Sequence, residues 1–367
     1  PAPAPAPAPA PSPAPAPSPA PTPSPAPAPT AENPIELILA HGHPTKMPPP
    51  IDWDPYDSMM NAWMATIEEQ TGGRVHFTSY PAGTLVKMPE VYDAVKAGVC
   101  DCGSIQPGVN PGVFPMDSLL SLPGLFPNCT VGAAIVRQVF EEGFTVDEYK
   151  DVKCIWHSIS YPDSLGCHGK QVRTLEDWKG LRIAVRGTPE PESIKALGAI
   201  PVSMPPGEQY IALERGTVDA SWLCPLGQVC WKFYEVAKYQ TKVSGNAPTE
   251  TFIMNWDSYN KLPPDIQEVI DRNSGMGWSL MCGKHFDLGM DNGFPYLEKS
   301  IVEAGYPPIY YPTPEELARL QKAWEPVYEE KVAELEAKGY PAGKMLDRVR
   351  ELIERYTTYT LGGLTPP

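Results

Sequence analysis

The sequence predicts an α/β protein built as two related lobes with a ligand cleft between them, and three observations carry that prediction. The first is an internal repeat. Glu90-x-Tyr92-x-Ala94-x-x-x-Gly98-x-x-Asp101 recurs 118 positions later as Glu208-x-Tyr210-x-Ala212-x-x-x-Gly216-x-x-Asp219. In each copy an acidic residue opens a short helix, Gly ends it where a left-handed cap is needed, and an apolar run resumes as a strand. The second is length, since residues 31–367 suit two lobes of ordinary domain size, each with a substantial core. The third is that strand and helix signals interleave along both halves. Open α/β sheets hold ligands in the crevice beyond the carboxyl ends of their strands, so function is expected there.

The elements follow in order. Residues 35–40 read as an opening strand, followed by a Pro-rich loop over 44–50. Met60, Trp63, Met64 and Ile67 share one helical face, and Gly72-Gly73 stops that helix. A strand near 74–79, the first repeat unit, a Gly/Pro loop over 107–115, a helix over 131–142 and an apolar strand over 152–159 come next. The second lobe is expected to start near 162. Thr174 with Asp177 forms a capping arrangement before Gly180, and Leu181–Val185 is a buried strand. Pro189 suits a first helical turn, Gly198 closes that helix, and the second repeat unit follows. Strand signal returns over 249–255. Beyond Pro263-Pro264 one long helix is expected from about 265 to 304, and Thr313-Pro314-Glu315-Glu316 caps another that ends at Gly339, with a kink at Pro326.

Residues 1–30 hold only Pro, Ala, Ser and Thr, which cannot build a core. Alternating Pro favours extended polyproline II, a semi-rigid arm with a reach on the order of 90 Å at about 3.1 Å per residue. It reads either as a tether or as a disordered tail without attachment. The chain begins at Pro1, which predicts processing or truncation, a removed export signal being one natural reason. No run of eighteen apolar residues is present to span a membrane. A formal charge of -15 argues against nucleic acid or an anionic membrane as partner. Eight cysteines fit an oxidising compartment better than cytosol. Cys154 and Cys167 flank an expected turn and are the first pair to test, whereas a bridge between Cys100 and Cys102, two apart on one strand face, would be strained, so they are expected to pair elsewhere or stay free.

Signatures of chemistry are sparse. There is no Gly-x-Gly-x-x-Gly after a strand, no phosphate-cradling Gly-x-x-x-x-Gly-Lys-Ser/Thr, no Gly-x-Ser-x-Gly elbow and no Cys-x-x-Cys. His41-Gly42-His43 is the best metal or catalytic candidate, because His at i and i+2 of a strand points both rings one way. Three ligands are usually needed, so side chains at a crevice rim are the competing reading. No spacing singles out a Ser-His-acid triad. Neither cofactor nor metal is expected.

Residues 173–219 run Leu175-Glu176-Asp177-x-Lys179-Gly180-Leu181-Arg182-Ile183, then Lys195-Ala196-Leu197-Gly198-Ala199-x-Pro201-Val202-x-Met204-Pro205, then the second repeat unit. This order resembles the DctP-type solute-binding proteins of tripartite ATP-independent periplasmic (TRAP) transporters. The likeness extends to Thr71-Gly72-Gly73-Arg74, Tyr80-Pro81-x-Gly83-x-Leu85, Phe114-Pro115, Leu122-Pro123 with Phe126-Pro127, Tyr234-Glu235-Val236-x-Lys238-Tyr239 and Met254-Asn255. It covers nearly everything from 35 to about 356. The resemblance implies a two-lobed periplasmic-binding-protein-like fold with shared crossing strands and a long bracing helix. It implies a hinge that closes on a small organic acid and delivers it to membrane subunits driven by an ion gradient, without chemistry. Location would be periplasmic or extracellular with the N-terminal arm as tether, and the state monomeric or dimeric. The lobes are expected at 34–161 plus about 249–285, and at 162–248 plus about 286–367, after a linker over 1–33.

Family members usually carry an Arg on the strand after Lys-Gly-Leu, pairing with the substrate carboxylate. That position here is Ala184. Arg186, two residues on and on the same strand face, is the candidate clamp, against a solvated or salt-bridged surface Arg. Other candidates for the cleft wall are Trp222, Cys224 and Gln228 after the second repeat, Gln106 at the corresponding place after the first, Tyr161 at the crossing, Phe252 in the returning strand, and His41 and His43 as hydrogen-bond donors. The rivals to a transport role are an enzyme on the same scaffold and a cell-surface protein with a Pro/Ala spacer.

Overall fold

The computed structural model describes residues 29–43, 45, 55–110, 112–187 and 189–360. The expected Pro/Ala arm and the Pro-rich loop over 44–50 lie, apart from single positions, outside the described residues. The first half runs β1 (Ile35–Ala40), α1 (Pro55–Gln70), β2 (Val75–Tyr80), α2 (Val91–Lys96), β3 (Cys102–Ile105), α3 (Pro115–Leu119), α4 (Cys129–Glu141) and β4 (Val152–Ile159). The chain then crosses to β5 (Ser164–Cys167), β6 (Arg182–Val185), α5 (Glu190–Ala196), β7 (Ile200–Ser203), α6 (Pro206–Glu214), β8 (Ala220–Leu223), α7 (Pro225–Cys230) and β9 (Tyr239–Thr241). It returns through β10 (Thr249–Asn255) and closes with α8 (Trp256–Lys261), α9 (Pro264–Arg272), α10 (Met276–Glu303), α11 (Pro314–Ala337) and α12 (Ala342–Thr360).

Two five-stranded sheets result, ordered β2-β1-β3-β10-β4 and β7-β6-β8-β5-β9. Strand for strand they have the same pattern. The first three positions are parallel and the fourth, β10 or β5, runs antiparallel to both neighbours. The sequence repeat explains the match at atomic level. Asp101 Oδ2 accepts from the Ile38 N–H at 2.6 Å while the Asp101 N–H donates to the Ile38 carbonyl at 2.8 Å. Asp219 makes the same two bonds to Arg182, at 2.8 and 2.7 Å. Gly98 and Gly216 take φ of 70° and 66°, the left-handed cap that ends the preceding helix in each copy. The repeated Gly and Asp thus turn each chain from helix into the central strand and lock that strand's register.

The main core cluster runs through both lobes, with one smaller cluster confined to each. Trp63 and Ile67 of α1 are fully buried under the first sheet, as the apolar spacing predicts. Trp178 and Trp222 meet edge to face at 5.7 Å in the second. Two helices tie the lobes together. α10 passes over α4, where a Cβ on Gly283 would come within 2.6 Å of the Cys129 carbonyl. It continues over the second lobe, where Gly289 and Gly293 sit against Leu226 of α7. In α11 the Tyr328 hydroxyl donates to Pro123 O at 2.7 Å and the Trp324 indole N–H to Ser193 O at 3.0 Å, one partner in each half.

Two expectations require correction. The helix expected over 265–304 is two helices, because Gly275 adopts φ 83° and donates its N–H across to Ile155 O at 2.7 Å, which an uninterrupted helix would not permit. Cys154 and Cys167 are not partners, since the residues between β4 and β5 carry the chain from one sheet to the other instead of making a hairpin. Among the described residues the eight cysteines form no disulfide. Six of them are buried and behave as small apolar residues. α11 runs through Pro326, and α10 likewise contains Pro295.

Candidate functional site

The lobes meet where the sheets' carboxyl ends face each other. A Cβ on Gly187, just beyond β6, would lie 2.6 Å from the carbonyl oxygen of Gly108, just beyond β3. Two main chains are therefore in contact across the cleft, and the lobes are in a closed arrangement. Glycine is needed at 187 for that approach and not for an unusual φ.

From the second lobe, Arg186 enters at the end of β6. Its side chain is 8% exposed, and Nη2 reaches Asp163 Oδ2 at 2.6 Å and Glu190 Oε1 at 2.8 Å. The Arg186 N–H also donates to Glu190 Oε2 at 2.7 Å. Among the described residues Arg186 Nε and Asp163 Oδ1 are buried without a hydrogen-bond partner. Burial works against the guanidinium's charge, but Asp163 and Glu190 hold its pKa above the ordinary value. Asp163 is pushed well above the usual carboxylate range, first by burial and then by Glu190, against the pull of Arg186.

From the first lobe comes Glu250, fully buried near the start of β10. Gln106 donates its amide to Glu250, Ser104 Oγ lies 3.3 Å away, and His43 Nε2 lies 3.4 Å away. The His43 ring stacks on Tyr56 at 3.9 Å. Tyr56 stands at the middle of the site. Its hydroxyl donates to Ser160 Oγ at 2.7 Å, and burial raises its pKa well above the ordinary value, with Glu250, Cys224 and Arg186 all within electrostatic reach. His41 faces Asp57 at 3.4 Å, and burial lowers its pKa, favouring the neutral ring.

The strand register shows how these acids arose. Phe252 pairs with Ser104, and Leu165 with Trp222. Ser104 and Trp222 occupy the same place in the repeat, so Phe252 corresponds to Leu165, and Glu250 to Asp163. Gln106 corresponds to Cys224 in the same way. Each lobe therefore presents one buried carboxylate from its crossing strand, with Arg186 beside one and His43 and Gln106 beside the other.

The structure gathers Arg186, Gln106 and His43 of the sequence candidates around this cleft, with Cys224 beside Arg186. Tyr161 is fully buried at the crossing, edge-on to Phe286 at 5.3 Å, and a Cβ on Gly289 would strike its hydroxyl. His41 lies behind His43, with ring centroids 6.1 Å apart. β1 ends at Ala40, so neither ring stands on the strand. Trp222 and Phe252 are held inside the lobes, Trp222 donating to Asn246 Oδ1 at 3.1 Å and Phe252 stacked on Trp156 at 5.1 Å. The Gln228 amide donates to the Leu223 carbonyl at 2.9 Å, within its own lobe. Among the described residues no group of three or more His, Cys, Asp or Glu side chains has metal-binding spacing. Sequence reasoning missed Tyr56, Asp163, Glu190 and Glu250. Glu250 had a signal, a charged residue in the same short strand as Phe252, Ile253 and Met254, since a carboxylate is rarely buried with such residues unless the charge is used.

Two lobes in contact across a polar, buried cleft give the two-lobed fold of solute-binding proteins. Residues 52–335 match the family described as bacterial extracellular solute-binding protein, family 7, and the chain belongs to that family. A solute-binding protein of Albidiferax ferrireducens is 25% identical over 226 residues, covering 58% of this chain and 64% of its own length. A monocarboxylate 2-oxoacid-binding periplasmic protein of Nostoc sp. is 26% identical over 212 residues, covering 55% and 57%. The chain thus spans about three-fifths of the length of these curated relatives. A TRAP solute-binding protein from Rhodoferax ferrireducens, solved with copurified benzoate, superposes with a TM-score of 0.81 at 26% identity, covering 89% of this chain and 99% of that one. One from Bordetella bronchiseptica, solved with both mandelate enantiomers, shares the fold with a TM-score of 0.77 at 22% identity, covering 88% and 100%.

Proposed function

We propose that this chain is an extracytoplasmic solute-binding protein that encloses a small organic acid between its lobes and delivers it, unaltered, to the membrane subunits of a TRAP transporter. The observation that carries this reading is Arg186, a buried cation at the carboxyl end of β6, beside the Gly187–Gly108 contact where the lobes touch. Its Nε, unpartnered among the described residues, leaves one guanidinium N–H for a carboxylate oxygen, at the place that open α/β sheets give to ligands. The structural neighbour with benzoate supports the ligand class. Gln106, Cys224, Tyr161, His43 and His41 would line the cleft, whereas Trp222, Phe252 and Gln228 would support it from within each lobe. We assign 34–161 plus about 249–285 to the first lobe and 162–248 plus about 286–367 to the second. α12 reaches back to α4 through Tyr356 and Gln138. The Pro/Ala arm would tether the protein beside its transporter, in the periplasm or outside the cell. Native mass spectrometry of freshly purified protein, followed by thermal unfolding with the released molecule, tests the reading. Ligand at a hundred times its Kd adds about 2.7 kcal/mol. A molecule returned chemically changed, or no acid that stabilises the protein, would refute it.

A further inference from the structure

We propose that the solute accepted by this cleft carries a cationic nitrogen as well as a carboxylate, making the ligand class amino-bearing organic acids. This rests on the reading of the cleft as the solute site. Among the described residues the cleft holds three buried carboxylates, Asp163, Glu190 and Glu250, against one permanent cation, Arg186. His43 removes one negative charge from that balance only when protonated, and the burial of His41 favours its neutral form. Arg186 is already shared by Asp163 and Glu190, and even with a proton on Asp163 it faces both Glu190 and Glu250, so a ligand carrying only a carboxylate adds a further negative charge to a buried, net-negative site. An ammonium group reverses that cost.

The unpartnered atoms say the same. Arg186 Nε is a buried donor for a carboxylate, and Asp163 Oδ1 is a buried acceptor awaiting a donor. Such groups are seldom left unpaired in a folded protein unless something else fills the gap. Glu250 stands at the corresponding place in the other lobe, so an ammonium between the two acids would draw the lobes together. Asp163 is poised in the direction this requires, since its raised pKa means that a cation arriving beside it releases a proton.

Matched ligands differing at one group test this on the whole protein: phenylalanine, 3-phenyllactate and 3-phenylpropionate, then leucine against 4-methylpentanoate, and aspartate against succinate. Affinity is read by isothermal titration in two buffers of different ionisation enthalpy, and the copurified molecule is read by accurate mass. The expected result is a preference of tenfold or more for the amino member of at least one set, with proton release. Asp163→Asn and Glu250→Gln should erase that preference. A nitrogen-free copurified acid, or equal or better binding of the amine-free members, overturns the inference and leaves the solute site standing. Equal binding of phenyllactate and phenylalanine overturns it too, because a hydroxyl would then serve as well as a charge. If no member of any set binds and nothing copurifies, the reading of the cleft itself fails, and this inference with it.

Discussion

Arg186→Met removes the guanidinium and keeps most of the side chain's apolar stem. Asp163 and Glu190, with side chains 0% and 4% exposed, then lose their common partner. Breaking a buried ion pair from one side costs about 3–5 kcal/mol, because a charge is left stranded. The stranded acids can escape by taking up protons, which limits the damage according to pH. Neutralising one carboxyl of ordinary pKa near 4 costs about 5 kcal/mol at pH 8 but only about 1.5 kcal/mol at pH 5. Asp163 stands well above the usual carboxylate range even beside Arg186, and losing the guanidinium removes the pull that opposes this rise, so stability is retained at low pH and lost as pH climbs. The variant should therefore lose about 3–5 kcal/mol at pH 8 and about 1–2 kcal/mol at pH 5. Urea unfolding of the ligand-free protein at both values reads this directly, as a midpoint lowered by roughly 1–1.7 M at pH 8 for an m-value near 3 kcal/mol/M. Adding Asp163→Asn and Glu190→Gln should restore most of the loss. A loss below about 1 kcal/mol, or one that ignores pH, would show these groups to be solvated and would refute the closed, dry cluster.

Gly187→Val places side-chain atoms where the Gly108 carbonyl now sits, and a backbone atom cannot step aside cheaply. It should prop the lobes apart, weakening solute affinity tenfold or more in titration calorimetry while leaving the urea midpoint nearly unchanged. Glu148 holds the Met116 and Asp117 N–H groups at 2.6 and 3.0 Å, and burial, then the charge of Asp117, push its pKa up to about 8. Its folded pKa is raised, so stability should fall from about pH 5 to about pH 8 by up to about 1.4 kcal/mol per pH unit, and Glu148→Gln should flatten that slope in denaturation at stepped pH. Eight cysteines with no disulfide among the described residues predict eight titratable thiols in denaturant and a melting temperature indifferent to reductant, and a reductant-induced drop would reveal a disulfide that the structure does not contain.

The parts of the fold legible in sequence were those fixed by local chemistry. The strands at 35–40, 152–159 and 249–255 fall on the expected residues because each is an apolar run bounded by turn or capping residues. Thr313 caps α11 as expected, its hydroxyl accepting from the Glu316 N–H. Helical spacing alone failed at 273–275, where the apolar pattern passes through a break that a tertiary hydrogen bond from Gly275 imposes. The site was legible only in part. Arg186 and Gln106 follow from strand ends, but Asp163 and Glu250 become equivalent only when β5 and β10 are laid in register on β8 and β3, a non-local pairing no window of sequence contains. Tyr56 reaches the cleft from α1 by packing against Phe286 of α10 at 4.6 Å, a contact between residues 230 apart.

Duplication of a lobe also duplicates its charges, and that bears on how closure is controlled. A ligand shifts an open–closed equilibrium only by the difference in its affinity for the two states. An empty cleft that closes carries the acids of both lobes out of water together, and each must either keep its charge with Arg186 alone to offset it or take up a proton, so the closed empty state is penalised. A solute that offers a carboxylate to Arg186 and a cation to Asp163 and Glu250 removes that penalty only when both walls touch it, which happens only on closure. The same groups that would recognise the solute would thus hold the unloaded lobes apart, and a membrane partner sensitive to lobe closure would engage the loaded form in preference.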